Sequence, residues 1–272
     1  MEEFNLKKLI FSGKTLVMAH RGDQSVAPEN TMLSFKNAAR NEIDFIESDV
    51  RMTKDRKLIL FHDDCLERTT SKTGRISDFT LEELMQIDLA ENFSPDNNGT
   101  FPYRGKNFTV VTVEDVLKAF PGKYFNLDIK DCDPFVPEEL GRIIQKCGME
   151  KNVIIASFEK DQLLLFRRLY PDILTSAVRS EVKLFLIGVK TGLLPLFMLF
   201  KKIRYSAFQV PEISDSTRVV TPGFVKAAHK YKIAVHVWTV NEVTDMKRLL
   251  SMGVDGIFTD YPDRLINLLK EN

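Results

Sequence analysis

Met18-Ala19-His20-Arg21-Gly22 is the stretch from which the chain is best read. The apolar run over 15–19 leads into it and has the length and character of a buried strand. A histidine, an arginine and a glycine follow in direct succession, and Pro28-Glu29-Asn30-Thr31 then opens a helical pattern. A base, a permanent cation and a conformationally free residue at the carboxyl tip of a strand suit a site that binds and acts on an anion.

Outward from that tip, strand and helix patterns alternate. Asn30 is expected to cap a helix running to about residue 40, with Leu33, Phe35, Ala38 and Ala39 as its apolar face. The next strand spans 45–52, and Glu47 and Asp49, two apart on it, share one face. The turn over 53–57 is too short for a parallel crossover, so 58–62 should return antiparallel as a hairpin. Residues 63–107 read as an insertion, with a helix over 81–88 behind the Thr80 cap and a Pro-, Asn- and Gly-rich loop over 94–102. Helices over 113–120, 137–147, 160–170, 222–231, 243–252 and 262–270 then alternate with strands over 124–129, 153–157, 173–178, 205–210, 234–239 and 255–259.

Without the hairpin return there are eight strands, which predicts an α/β chain folded as a (β/α)8 TIM barrel. The expectation is one domain over 1–272, with a small insertion after the hairpin on the second strand and an apolar insertion over 180–203. The alternative, an open doubly wound sheet, is weakened because no Gly-rich loop follows the first strand.

The chain has 272 residues, 44% of them hydrophobic, enough for one large barrel. Lys plus Arg equals Asp plus Glu at 38 each, and this balance gives no reason to expect a nucleic-acid partner. Cys65, Cys132 and Cys147 show no paired spacing and read as free thiols, which suits the reducing cytoplasm. The first twelve residues carry Glu2, Glu3, Lys7 and Lys8 and lack the apolar core of a secretory signal. The apolar run over 184–200 is interrupted by Lys190, Gly192 and Pro195 and falls short of the ~20 residues of a membrane span.

The polar residues at or near strand tips are His20, Arg21, Glu47, Asp49, Asp128, Lys130, Ser157, Gln209, Trp238 and Asp260. Period-two alternation puts Asp128 and Lys130 on one face, as it does Glu47 and Asp49. Three carboxylates meeting in a low-dielectric mouth repel one another, and a hard divalent cation, Mg2+ or Ca2+ rather than zinc, would relieve that. His20 and His62 are then free for proton transfer, while Arg21 and Lys130 supply fixed charge for a phosphate. Such a set suits phosphodiester cleavage.

With these residues in view, the chain resembles the glycerophosphodiester phosphodiesterases over about 15–269. The resemblance rests on His20-Arg21-Gly22, Pro28-Glu29-Asn30-Thr31, Glu47-Ser48-Asp49-Val50, His62-Asp63, Asn126-Leu127-Asp128-Ile129-Lys130, Ser157-Phe158, Trp238-Thr239-Val240-Asn241 and Thr259-Asp260-Tyr261-Pro262, in that order. It implies that Glu47, Asp49 and Asp128 bind the metal, that His20 and His62 are the acid–base pair, and that Arg21 and Lys130 hold the phosphate. Phe158 and Trp238 would line the pocket beside the glycerol or headgroup. Where the family usually has Glu, this chain has Asp128. That form, with Gly192-Leu193-Leu194-Pro195 and Phe208-Gln209-Val210-Pro211, looks like the branch that acts as lysophospholipase D. The expected substrate is a small glycerophosphodiester, cleaved to glycerol 3-phosphate and an alcohol, or a lysophospholipid. The alternatives are a lyase that stops at a cyclic phosphate and a catalytically silent lipid-binding barrel. The apolar run over 184–200, flanked by lysines, is read either as a buried lid or as a peripheral contact with a lipid surface.

Overall fold

The structure, a computed structural model, describes residues 6–40, 42–95, 99–199 and 201–271. Its strands are β1 (Leu16–Ala19), β2 (Phe45–Met52), β3 (Leu58–Leu60), β4 (Tyr124–Ile129), β5 (Val153–Ser157) and β6 (Leu174–Thr175). They continue with β7 (Ala207–Val210), β8 (Ile213–Ser214), β9 (Thr217–Arg218), β10 (Ala234–Val237) and β11 (Gly256–Thr259). The α-helices are α1 (Leu6–Ile10), α2 (Met32–Arg40), α3 (Leu81–Leu84), α4 (Val113–Ala119), α5 (Phe135–Lys146) and α6 (Lys160–Leu169). After them come α7 (Arg179–Thr191), α8 (Leu194–Met198), α9 (Pro222–Lys230), α10 (Val243–Ser251) and α11 (Pro262–Lys270).

Eight strands pair in parallel in the order β6-β5-β4-β2-β1-β11-β10-β7. A parallel bridge between Ser176 and Ala207 brings the two ends of this row together, which makes the expected (β/α)8 barrel. β3 lies outside the ring, antiparallel to β2 with Val50 opposite Leu60, as the short turn requires.

Two apolar layers hold the barrel. Outward-facing residues of the strands, such as Ile46, Val50, Leu127, Ile155 and Val235, pack against Phe35, Val116, Leu140, Phe166, Phe224, Met246 and Leu265 of the helices. Inside, Leu16, Met18, Phe45, Ile154, Ala207, Ala234 and Phe258 form a second cluster with Leu6 and Ile10 of α1. The short helix α1 thus plugs the amino-terminal end of the barrel, and no periodicity in five residues could have announced it. The insertion has a small core of its own, in which Ile59 and Phe61 meet Leu66, Ile76, Leu84, Ile87, Leu89 and Val110.

Several expected boundaries move. Thr31, not Asn30, caps α2: its Oγ1 accepts from Ser34 N at 3.3 Å, while Asn30 turns inward with φ +54°. The expected helix over 81–88 stops at Leu84, because the Asp88 carboxylate accepts from the backbone of Ala90, Gly105 and Phe108 and so organises a loop. α5 begins at Phe135, whose N–H donates to Asp133 Oδ1 at 2.8 Å. β6 is two residues long; beyond it Val178 N is held by Glu181 Oε2 at 2.9 Å and the chain turns into α7. The loop expected over 94–102 lies partly outside the described residues.

The largest correction concerns 180–203. This segment is no insertion: α7 and α8 are the helical crossover that a barrel needs between β6 and β7. Phe185 is buried against Phe208, Phe224 and Tyr231, with ring centroids 4.7, 5.6 and 6.0 Å away. Gly188 lets α8 close onto α7, since a Cβ there would lie 2.9 Å from Leu194 Cα. Phe200 lies outside the described residues.

Candidate active site

The first strand delivers its histidine through a strained turn. Arg21 and Gly22 both have positive φ, +57° and +82°, and a Cβ on Gly22 would meet Ser34 Oγ at 2.5 Å. The turn aims Arg21 N at Glu47 Oε2, 3.0 Å away. His20 Nδ1 lies 2.6 Å from Asp260 Oδ1, and Asp260 is itself held by Gln24 Nε2 at 2.5 Å and Asn241 Nδ2 at 2.7 Å. With Nδ1 engaged, Nε2 is left toward the pocket, 4.0 Å from Glu47 Oε2. Burial opposes a charge on His20, yet the Asp260 bond and the Glu47 charge outweigh it and raise its pKa.

β2 and β4 supply the carboxylates, with Asp49 directly opposite Asp128 in the register. Lys130 bridges that pair, its Nζ 2.9 Å from Asp49 Oδ1 and 2.6 Å from Asp128 Oδ2. Arg21 Nε lies 3.4 Å from Asp49 Oδ2. Burial works against ionising Asp49, but the Lys130 and Arg21 charges win and its pKa falls. Burial, reinforced by the Asp49 charge, pushes Glu47 up to about 7 and raises Asp128 as well. Asp128 Oδ1 is buried and has no hydrogen-bond partner among the described residues. No three His, Cys, Asp or Glu side chains among the described residues are already gathered as a metal cluster. An all-oxygen donor set, a buried carboxylate oxygen left without a partner and a carboxyl held near neutrality nevertheless fit a hard divalent ion.

His62 leaves β3 held from two sides. Its carbonyl accepts from Arg51 Nε at 3.1 Å and Nη2 at 3.0 Å, and its Nδ1 lies 2.6 Å from Asp63 Oδ1. Burial lowers its pKa, and the Arg21 and Lys130 charges add to that. Both histidines therefore rest on a carboxylate through Nδ1.

These groups line one pocket of about 540 Å³. His20, Arg21, Glu47, Asp49, His62, Asp128 and Lys130 meet at its polar end, which also holds Asn126 and Gln209, joined at 2.6 Å. Phe158 and Trp238 line it too, in edge-to-face contact with centroids 5.7 Å apart. Away from the polar end the lining carries an apolar set, Val182, Leu186 and Ile187 of α7 with Pro211 and Val219, beside Ser214, Asp215 and Thr217 of the β8–β9 hairpin. Arg179, Lys183 and Lys190 stand on the same helix wall and pair with no carboxylate among the described residues.

The structure thus brings together every side chain singled out at the strand tips for metal, proton or phosphate chemistry. Sequence reading gave no role to the groups that hold them. Asp63, Asp260 and Glu29 stand inside the quoted motifs without one, and Arg51, Gln24 and Arg68 lie outside them. Only Asp63, adjacent to His62, carried a local signal.

Comparison with known proteins places these observations among relatives. A profile described as the glycerophosphoryl diester phosphodiesterase family matches residues 20–264. A glycerophosphodiester phosphodiesterase of Caldanaerobacter subterraneus is 33% identical, over 95% of this chain and 99% of its own. A lysophospholipase D of Homo sapiens is 26% identical, over 97% of this chain and 88% of its own. Among solved structures, an Oleispira antarctica phosphodiesterase in complex with the product sn-glycerol-3-phosphate superposes with a TM-score of 0.75 at 22% identity. That match covers 97% of this chain and 99% of the other.

Proposed function

The chain belongs to the glycerophosphoryl diester phosphodiesterase family, and from that premise we propose that it hydrolyses glycerophosphodiesters to glycerol 3-phosphate and an alcohol. The observation that carries this reading is the pair of imidazoles, each seated on a carboxylate through Nδ1, lining one pocket with Arg21, Lys130 and three buried carboxyls. The whole chain, 1–272, is taken as one catalytic unit.

Arg21 and Lys130 bind the diester phosphate and stabilise the charge that builds on it. One of His20 and His62 removes the proton from the attacking hydroxyl, the glycerol 2-OH, and the other delivers a proton to the departing alcohol oxygen; water then opens the cyclic phosphate to glycerol 3-phosphate, with the two rings exchanging roles. Asp260 and Asp63 keep the two rings oriented so that both Nε2 atoms can serve. Phe158 and Trp238 cover the glycerol or headgroup side. A hard divalent ion, Mg2+ or Ca2+, bound among Glu47, Asp49 and Asp128 would supply polarisation of the phosphate and acidification of the nucleophile.

The apolar walls beyond the polar end favour a second substrate, a lysophospholipid whose chain lies between α7 and the β8–β9 hairpin. Ile187, Leu193, Leu196 and Leu199 are about half exposed or more, at 52%, 47%, 61% and 66%, and stand near Lys190 and Lys183. Such a surface suits peripheral contact with a lipid layer that delivers the substrate. No helix among the described residues is long and apolar enough to cross a membrane.

Phosphorus NMR on glycerophosphocholine, glycerophosphoethanolamine and lysophosphatidylcholine, with and without EDTA, tests these readings together. The expected products are glycerol 3-phosphate and lysophosphatidic acid, lost on chelation and restored by Mg2+ or Ca2+. A cyclic phosphate as the end product would make the enzyme a lyase, and no turnover of any diester would leave a lipid-binding barrel.

A further inference from the structure

Arg68, on the insertion after β3, holds two carboxylates with one guanidinium. Its Nε lies 2.5 Å from Asp63 Oδ2, and its Nη1 and Nη2 reach Glu29 Oε2 and Oε1 at 2.8 and 2.7 Å. Each carboxylate is already the partner of a pocket group. Asp63 turns its other oxygen to His62 Nδ1, and Glu29 Oε1 accepts from Arg21 Nη1 at 3.0 Å. An unbroken chain of contacts therefore runs from His62 through Asp63, Arg68 and Glu29 to Arg21. The insertion backbone around Arg68 is fixed as well: Asn92 Nδ2 donates to the carbonyls of Arg68 and Thr70 at 3.2 and 3.1 Å.

The geometry of a guanidinium gives this arrangement two consequences. Its fork grips Glu29 through both Nη atoms while Nε holds Asp63 Oδ2, so Asp63 is tied on the side away from His62, its other oxygen stays on Nδ1 and the ring keeps one tautomer. The same fork takes up charge on Glu29 that would otherwise be spent on Arg21 alone. Arg21 already lies 3.4 Å from Asp49, and a fully unshared Glu29 would draw its guanidinium further out of the pocket. The phosphate would then meet a cation already neutralised.

We propose that Arg68 is a positioning residue: it locks His62 through Asp63 and keeps Arg21 available to the phosphate by sharing Glu29. The proposal rests on the phosphodiesterase reading for its kinetic consequence but not for its structural one. Arg68 is about half exposed, at 47% of its side chain, so its replacement is expected to leave the barrel folded.

The test uses Arg68→Ala and Arg68→Lys in the full chain, with glycerophosphocholine as the soluble diester. The alanine variant should lose roughly 10- to 100-fold in kcat, with its melting temperature within a few degrees of wild type. Lysine keeps the charge but cannot fork between two carboxylates, so it should recover little, whereas guanidinium ions added to the alanine variant should restore part of the rate. Imidazole nitrogen NMR gives a readout that needs no turnover. The chain has four histidines, and the His62 signal, assigned from its loss in His62→Asn, should show a single Nδ1–H tautomer in wild type and an average of two in Arg68→Ala. An unchanged His62 tautomer, an unchanged kcat in an active enzyme, or full recovery with lysine would each overturn the proposal. Absence of turnover in wild type with the tautomer change intact would instead sink the substrate reading alone.

Discussion

The two ends of the barrel interior are built on the same strands and do opposite work. Along the inward face of β2 the chain passes from Phe45 to Glu47 and Asp49; along β1 it passes from Leu16 and Met18 to His20 just beyond the strand. β4 runs from Tyr124 to Asn126 and Asp128, and β7 from Ala207 to Gln209. One step of two residues separates a packed apolar layer, closed below by α1, from a layer of buried charge. The lower end lowers the free energy of the fold, whereas the upper end raises it, because carboxyls such as Glu47 are held out of water near one another. Substitutions in the two layers should therefore separate chemistry from stability.

The largest effect is expected at the upper end. His20→Ala and His62→Ala should each slow diester cleavage by about 10²- to 10⁴-fold, with melting curves close to wild type. Initial rates beside thermal denaturation check this, and wild-type turnover in either variant would remove that ring from proton transfer. The lower end should behave the other way round. Phe45 is fully buried in the layer that α1 closes, and Phe45→Ala should cost about 3–5 kcal/mol in stability. The folded fraction should retain its kcat, as read from active-site titration at low temperature. A large fall in kcat per folded molecule would mean that the apolar layer also sets the catalytic geometry.

The division between the layers explains what could be read from the chain itself. Period-two alternation with a polar residue at the end of each apolar run is a local signal, so the eight strands and His20, Glu47, Asp49, Asp128 and Lys130 were all visible. Contacts between distant segments leave no such mark. Arg68 lies 39 residues from Glu29, and Asp260 lies 240 from His20, so nothing in either neighbourhood shows that they meet. In the sequence the crossover α7–α8 reads as an insertion because its apolar residues exceed one helix face. Phe185 and Leu194 fill the outer layer while Leu186 and Ile187 line the pocket, and these two demands blur the helical period.

His236 lies on the border between the layers and gives the next effect in size. It is fully buried, neither ring nitrogen has a partner among the described residues, and burial lowers its pKa from 6.5 to about 4. The native state refuses a proton that the unfolded chain accepts. Stability is therefore complete above pH 6.5, declines as pH falls toward 4, and stops declining on this account below that. The loss should approach about 3 kcal/mol across this window, read as a shift in urea midpoint. His236→Leu should flatten that part of the profile, and an unaltered slope would show that the buried imidazole does not set it.

The smallest effect is expected where the polar layer opens outward along α7. Ile187 is half exposed on the pocket wall, so a charge placed there disturbs neither layer of the barrel. Ile187→Asp should raise the KM for lysophosphatidylcholine by about tenfold, the value of a small apolar contact in a binding groove, and leave glycerophosphocholine unchanged. The soluble diester has no chain to lay against α7, so only the lipid should register the substitution. Equal changes for both substrates would mean that α7 acts on the polar end itself, and the boundary between the chemical layer and its apolar approach would then have to be drawn further out.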